Sequence, residues 1–188
     1  MMTNESKQHI RQKIVQQRNN LNTQSVLALS QKICDNVLSH SYFSKSQTIA
    51  IYYALDHEVK IISLVNANQT FAMPVIQANK KMVFKSFNNQ SNFTKNQYGI
   101  LEPKNGHLIN PKEIDLCLLP LVGFNRNGSR LGMGEGYYDR FFEFNHSQIK
   151  PTILAGIAYD FQEDDTIVAE SWDIPLDIIF TNKEVIIP

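Results

Sequence analysis

A chain of 188 residues has the length of one ordinary domain, and 43% hydrophobic with 19% charged residues is a globular mixture too apolar to stay disordered. Eighteen Lys and Arg balance eighteen Asp and Glu, so the basic excess of a general nucleic-acid or membrane-surface binder is absent. The first residues lack an apolar leader core and no apolar run reaches membrane length. The expectation is a soluble, reduced, cytoplasmic monomer in which Cys117, inside Leu116–Leu119, is a small buried hydrophobe rather than a nucleophile.

Residues 5–19 are rich in helix formers and free of Gly and Pro, which predicts a first helix. At about 100° per residue its Lys7, Arg11 and Arg18 project within an arc of roughly 40°, beside the sector of Ile10, Ile14 and Leu21. Cations on the rim of a packed face either snorkel to water or line a ligand cleft. Asn22 or Thr23 caps a second helix, with Val26, Leu29, Ile33 and Val37 at helical spacing. Thr48–Tyr53 is β-branched and aromatic and reads as a strand. Ile61–Val65 suggests a short helix, and Phe71–Ile76 and Met82–Phe87 two more strands. Asp115–Phe124 is nearly all apolar, the pattern of a central strand covered on both faces. A loop, Asn125–Gly136, leads to a helix carrying Tyr137, Tyr138, Phe141 and Phe142, and strands at Thr152–Tyr159 and Asp177–Thr181 follow. The alternation predicts one α/β domain over residues 1–188 with a mostly parallel sheet. Ligands in such folds sit past the C-terminal ends of strands, which directs attention to the segment after Phe124.

That segment carries glycines at 132, 134 and 136, between a buried strand and a helix start. Glycine admits positive φ and a close approach of backbone to ligand. Successive N–H groups and the positive end of a helix can then hold an anion. Arg130 adds a guanidinium fork suited to phosphate oxygens. Neither the dinucleotide fingerprint nor the Walker loop has this spacing. A surface turn would need only Asn127-Gly128, so anion binding is the stronger reading of the three glycines.

Residues 130–140, Arg-Leu-Gly-Met-Gly-Glu-Gly-Tyr-Tyr-Asp-Arg, closely resemble the signature of the 5-formyltetrahydrofolate cyclo-ligase family. Lys7-x-x-x-Arg11, the Glu58 segment, Gly99–Pro103 and Trp172–Asp177 fall in the same order as in that family, so the resemblance spans essentially the whole chain. It implies a three-layer α/β/α, Rossmann-like fold related to the sugar-phosphate isomerase and CoA-transferase architectures. It also implies ATP- and Mg²⁺-dependent closure of 5-formyltetrahydrofolate to 5,10-methenyltetrahydrofolate. In that reaction the formyl oxygen takes the γ-phosphoryl group, N10 adds to the activated carbon, and phosphate leaves.

Carried over residue by residue, the resemblance assigns ATP to Lys7, Arg11, Arg130, Leu131, Gly132, Met133, Gly134, Glu135, Gly136, Tyr137 and Tyr138. Folate falls to Tyr53, Glu58, Met133, Gly134, Glu135, Gly136 and Tyr137, Mg²⁺ to Asp139 and Asp173, and catalysis to Arg130 and Tyr137. Arg18 takes a supporting role. Trp172 stands where the family often has His, and Glu135 stands where many relatives carry a small or basic residue. A carboxylate there would repel a triphosphate, so Glu135 is expected to point away. His57 has no reacting proton placed near it, and Asp164-Asp165 reads as a solvated turn. The competing readings are a non-catalytic nucleotide- or RNA-binding relative, and an isomerase or transferase on the same architecture.

Overall fold

The computed structural model describes residues 2–144 and 151–188. Its element order is α1 (Asn4–Asn19), α2 (Thr23–Ser39), α3 (Ser41–Lys45), β1 (Thr48–Ala50), β2 (Thr70–Ile76), β3 (Met82–Phe87), β4 (Phe93–Lys95), β5 (Leu101–Pro103), β6 (Leu108–Ile109), β7 (Leu116–Pro120), β8 (Gly123–Phe124), β9 (Arg130–Leu131), α4 (Tyr137–Phe142), β10 (Ile153–Ile157), β11 (Ile178–Phe180) and β12 (Val185–Ile186). Asn22 is the cap of α2, its side chain accepting from Ser25 N at 2.8 Å.

The main sheet runs β12-β11-β10-β7-β1-β2-β3-β6. The pairs from β11 through β2 are parallel, and β12, β3 and β6 add antiparallel edges. This is the expected mostly parallel α/β sheet. Side chains alternate between its faces as the two-residue strand period requires. Leu116 and Leu118 of β7 enter one core with Ile33 and Val37 of α2. Cys117 and Leu119 enter the other with Phe142 of α4. A third cluster, Ile10, Ile14, Val122, Leu131 and Ile167, seats α1 on the β8–β9 hairpin. Cys117 is fully buried and burial pushes its thiol well up, as expected of a packing residue.

Four expectations need correction. Asp115–Phe124 is not one strand: β7 ends at Pro120, whose ring removes a ladder N–H, and the chain turns at Leu121-Val122 into the hairpin. The loop Asn125–Gly136 therefore contains a strand, Arg130–Leu131. The first strand stops at Ala50, although Ile51 N still bonds Ala72 O at 2.9 Å. The short helix near Ile61–Val65 is a single 3₁₀ turn, Ile62–Leu64.

From β1 the chain proceeds to the neighbour β2 on one side; from β7, beside β1, it proceeds to β10 on the other. The crevice past the C-terminal ends of β1 and β7 is thus a topological switch point, where open α/β sheets bind ligands.

Candidate active site

Two glycine features, read together as one loop from the sequence, separate in the structure. Gly128 has φ +81, and a Cβ there would lie 2.7 Å from Leu176 O. Asn125 Oδ1 accepts from Asn127 N and Ser129 N, each at 3.0 Å. That turn is structural. The second feature, residues 132–136, rises from the hairpin toward α4. Gly134 has φ +100 and Gly136, the residue before α4, φ +64, values that favour glycine. Gly132 does not have positive φ; nothing lies within 4 Å of a Cβ placed on it, so its lack of a side chain leaves approach space.

Residues of distant segments converge on this loop. Arg11 donates from Nε to Gly132 O at 2.8 Å, and its Nη2 is 3.6 Å from the Cβ position of Gly134. Lys7, one turn earlier on α1, pairs with Glu170 at 2.7 Å. Arg130, buried to 7% side-chain exposure, donates to Asp139 Oδ1 and to Ile174 O. Ile174 N donates to the same Asp139 oxygen at 3.2 Å. Asp139 is thereby drawn against the backbone next to Asp173, whose Oδ2 accepts from Glu170 N at 2.8 Å.

The remaining expected residues divide. Leu131 packs into the cluster under α1, so its side chain anchors the hairpin and only its backbone borders the loop. Met133 is 68% exposed at the loop tip. Glu135 points outward, its carboxylate 43% exposed and paired with Lys80 at 2.9 Å. Tyr137 meets the Tyr98 hydroxyl at 3.3 Å, and that hydrogen bond pushes its phenol up to about 12. Tyr138 packs against Phe84 with ring centroids 6.5 Å apart. Burial pushes the Tyr138 phenol well up, aided by Cys117 and Glu58 and opposed by the Arg130 guanidinium. Tyr53 is exposed on the segment after β1. Glu58 lies beyond it, Oε2 accepting from Leu55 N at 2.9 Å and Oε1 facing Arg18 at 3.6 Å. His57, at φ +59, completes that turn. Asp164 accepts from Thr166 N and hydroxyl and so forms a turn rather than half of a metal pair.

Glu170, Lys80 and Tyr98 are partners that the sequence reading missed. Glu170 stands three residues before Asp173, and Tyr98 immediately before the Gly99–Pro103 stretch; proximity to segments already marked was the available signal.

Whether these groups suit a magnesium nucleotide can be judged from their chemistry. Among the described residues, no group of three or more His, Cys, Asp and Glu forms a metal cluster. Mg²⁺ accompanying phosphates keeps several waters and takes one or two carboxylates. Asp139 accepts from Ile174 N, next in sequence to Asp173, and two carboxylates are within what such an ion takes.

The family model described as the 5-formyltetrahydrofolate cyclo-ligase family matches residues 3–182. A 5-formyltetrahydrofolate cyclo-ligase of Haemophilus influenzae is 32% identical over 93% of this chain and 97% of its own length. One of Escherichia coli K12 is 28% identical over 92% and 98%. The NMR structure of Aquifex aeolicus 5,10-methenyltetrahydrofolate synthetase superposes with a TM-score of 0.84 at 30% identity, covering 96% of this chain and 92% of that one. A 5,10-methenyltetrahydrofolate synthetase from Mycoplasma pneumoniae gives 0.74 at 29% identity over 93% and 97%. With the family matched over nearly its whole length, the chain belongs to the 5-formyltetrahydrofolate cyclo-ligase family and is an enzyme of that type.

Proposed function

We propose that the enzyme uses Mg²⁺-ATP to close 5-formyltetrahydrofolate into 5,10-methenyltetrahydrofolate, releasing ADP and phosphate. The observation that carries this is the convergence of Arg11, Arg130 and Asp139 on the glycine loop, with Glu58 at the neighbouring strand edge.

Phosphates bind over the loop, where Gly132, Gly134 and Gly136 present backbone that carries no Cβ. Lys7, Arg11 and Arg130 offset the phosphate charge. Asp139 and Asp173 would hold the magnesium, which would supply charge neutralisation for the phosphates. Folate lies toward Tyr53 and Glu58, with the carboxylate accepting from donors of the pterin ring. Tyr137, with a phenol that stays protonated at neutral pH, donates to the transferred group or to the substrate. The formyl oxygen attacks the γ-phosphorus and ADP leaves. N10 adds to the formyl carbon and gives up its proton to water, and loss of phosphate leaves the methenyl bridge. Positioning and charge stabilisation are the protein's contribution; no side chain becomes covalently bound.

The test mixes purified protein, Mg²⁺-ATP and 5-formyltetrahydrofolate and follows the near-UV absorbance of the methenyl product. A rise that requires ATP is expected. Its absence, with folate and nucleotide shown to be intact, overturns the reading.

A further inference from the structure

Arg18, in the last turn of α1, takes no part in the steps above, yet it is only 8% exposed and is buried in the same helix as Ile10 and Ile14. Its Nη1 stands 3.6 Å from Glu58 Oε1, beyond good hydrogen-bond length. Its Nε is buried with no acceptor among the described residues. A guanidinium stays charged, and a buried donor without an acceptor destabilises the fold that holds it.

Arg18 lines a recess of about 10 Å³ together with Tyr52, Glu58, Val59, Pro120 and Gln162. Pro120 ends β7 and Tyr52 lies just past β1, so the recess opens at the topological switch point. The other side-chain donors that line it are committed, while the buried Tyr159 hydroxyl, near Arg18 but outside the lining, also has no partner among the described residues. Tyr52 donates its hydroxyl to Val59 O at 2.8 Å. Gln162 donates to Leu121 O at 2.9 Å and Val122 O at 2.8 Å. The volume suits one oxygen-sized group and not a ring.

We propose that Arg18 Nε–H binds the cyclic-amide oxygen of the pterin, while Glu58 beside it accepts from the ring's N–H donors. The inference rests on the folate reading above. The amide edge of a pterin presents one carbonyl acceptor followed by ring N–H and amino donors; Arg18 and Glu58 present one donor followed by carboxylate acceptors. A carboxylate from the folate tail would bring two oxygens into room for one and set like charge against Glu58. Arg18 is therefore a substrate-binding and specificity residue, selecting a 4-oxo over a 4-amino ring.

The test measures, by calorimetry, binding of 5-formyltetrahydrofolate and of its 4-amino counterpart, in which an amino group replaces the carbonyl. Wild type, Arg18→Met and Arg18→Lys are compared, with thermal melts and Mg²⁺-ATP binding in parallel. Methionine keeps the stem volume; lysine keeps a charge for Glu58 and lacks the Nε–H, and decides the question if the methionine variant does not fold. Both variants are expected to lose about 10-fold or more in affinity for the 4-oxo compound. Binding of the 4-amino compound and of Mg²⁺-ATP should change less than about 3-fold, so the 4-oxo preference collapses. Equal weakening of both pteridines, or an unchanged ratio, overturns the assignment. If wild-type turnover is intact, that result rejects Arg18 alone; a wild type that neither binds nor converts the folate rejects the functional reading as well.

Discussion

Replacing Asp139 by Asn tests the arrangement on which both the fold of the loop and the metal reading depend. Asp139 Oδ1 accepts from Arg130 and, at 3.2 Å, from Ile174 N, while Arg130 also donates to Ile174 O. The side chains are 7% and 23% exposed for Arg130 and Asp139. Removing one partner of a fully buried ion pair costs roughly 3–5 kcal/mol. Asparagine keeps a neutral acceptor in the same place, and the partial exposure of Asp139 lets water screen the stranded guanidinium. Together these leave a loss of about 2 kcal/mol, or about 4–8 °C in Tm for a domain of this size. Turnover should fall at least ~10-fold through lost charge stabilisation, and the Mg²⁺ concentration for half-maximal rate should rise. Thermal melts and a magnesium titration at saturating ATP measure the two effects separately. A variant melting within about 1 °C of wild type would refute the ion-pair argument. One that loses stability but keeps full turnover and magnesium dependence would show Asp139 to be a scaffold residue only.

Gly134→Ala forces a side chain onto φ +100, while its Cβ would meet Arg11 only at ordinary contact, 3.6 Å. The cost is therefore in the backbone, about 1–3 kcal/mol, and KM for ATP should rise more than KM for folate; equal stability and kinetics would mean that this loop conformation is not the working one. Cys117 should resist iodoacetamide in the folded protein at pH 8, since burial pushes its thiol up, and Cys117→Ala should retain turnover; labelling without unfolding contradicts this. The Thr166 hydroxyl holds the Asp164 carboxyl below its usual range. That stabilisation is present above the unfolded carboxyl pKa near ~3.9 and is lost as pH falls through the lower folded value. Asp164→Asn should therefore lower Tm at pH 7 by more than at pH 3, and a pH-independent gap would count against the assignment.

The periodic elements were legible because each carries its own signal. The helical spacing and the Asn22 cap identified α2, and the two-sided apolar run identified β7 as a central strand. What the run could not reveal was its end. Leu121, Val122 and Phe124 are as apolar as β7 itself, yet they are buried by packing around a hairpin rather than by a longer sheet strand. Hydrophobicity reports burial and not direction, and Pro120 was the local mark of the break. The short pieces β4, β5, β6 and β12 went unread for another reason. With two or three residues each, they are too short to display a period and exist only because a partner strand is present.

The site was legible to the same extent: types of residue, but not their pairings. Lys7, Arg11 and Arg18 were recognisable as one helical stripe, and the structure sends them to three different acceptors. Lys7 meets Glu170, 163 residues away, Arg11 meets a carbonyl 121 residues away, and Arg18 meets Glu58. Such partners follow from sheet order, not from local pattern, so no window of sequence contains them. The pairings also reconcile a chain of zero net charge with the proposed binding of a polyanionic nucleotide. Each cation at the loop is held by an acceptor of the chain itself, which limits like-charge repulsion among Lys7, Arg11 and Arg130 in the absence of ligand. In the proposed reaction a triphosphate would compete with Glu170 for Lys7 and with Asp139 for Arg130, and a magnesium ion held by Asp139 and Asp173 would favour that exchange. Nucleotide and metal should accordingly bind with positive coupling, each tightening the other by the same factor. Independent affinities, measured by titrating ATP with and without Mg²⁺ and corrected for the ATP–metal complex in solution, would show that the Arg130–Asp139 pair stays closed during the reaction.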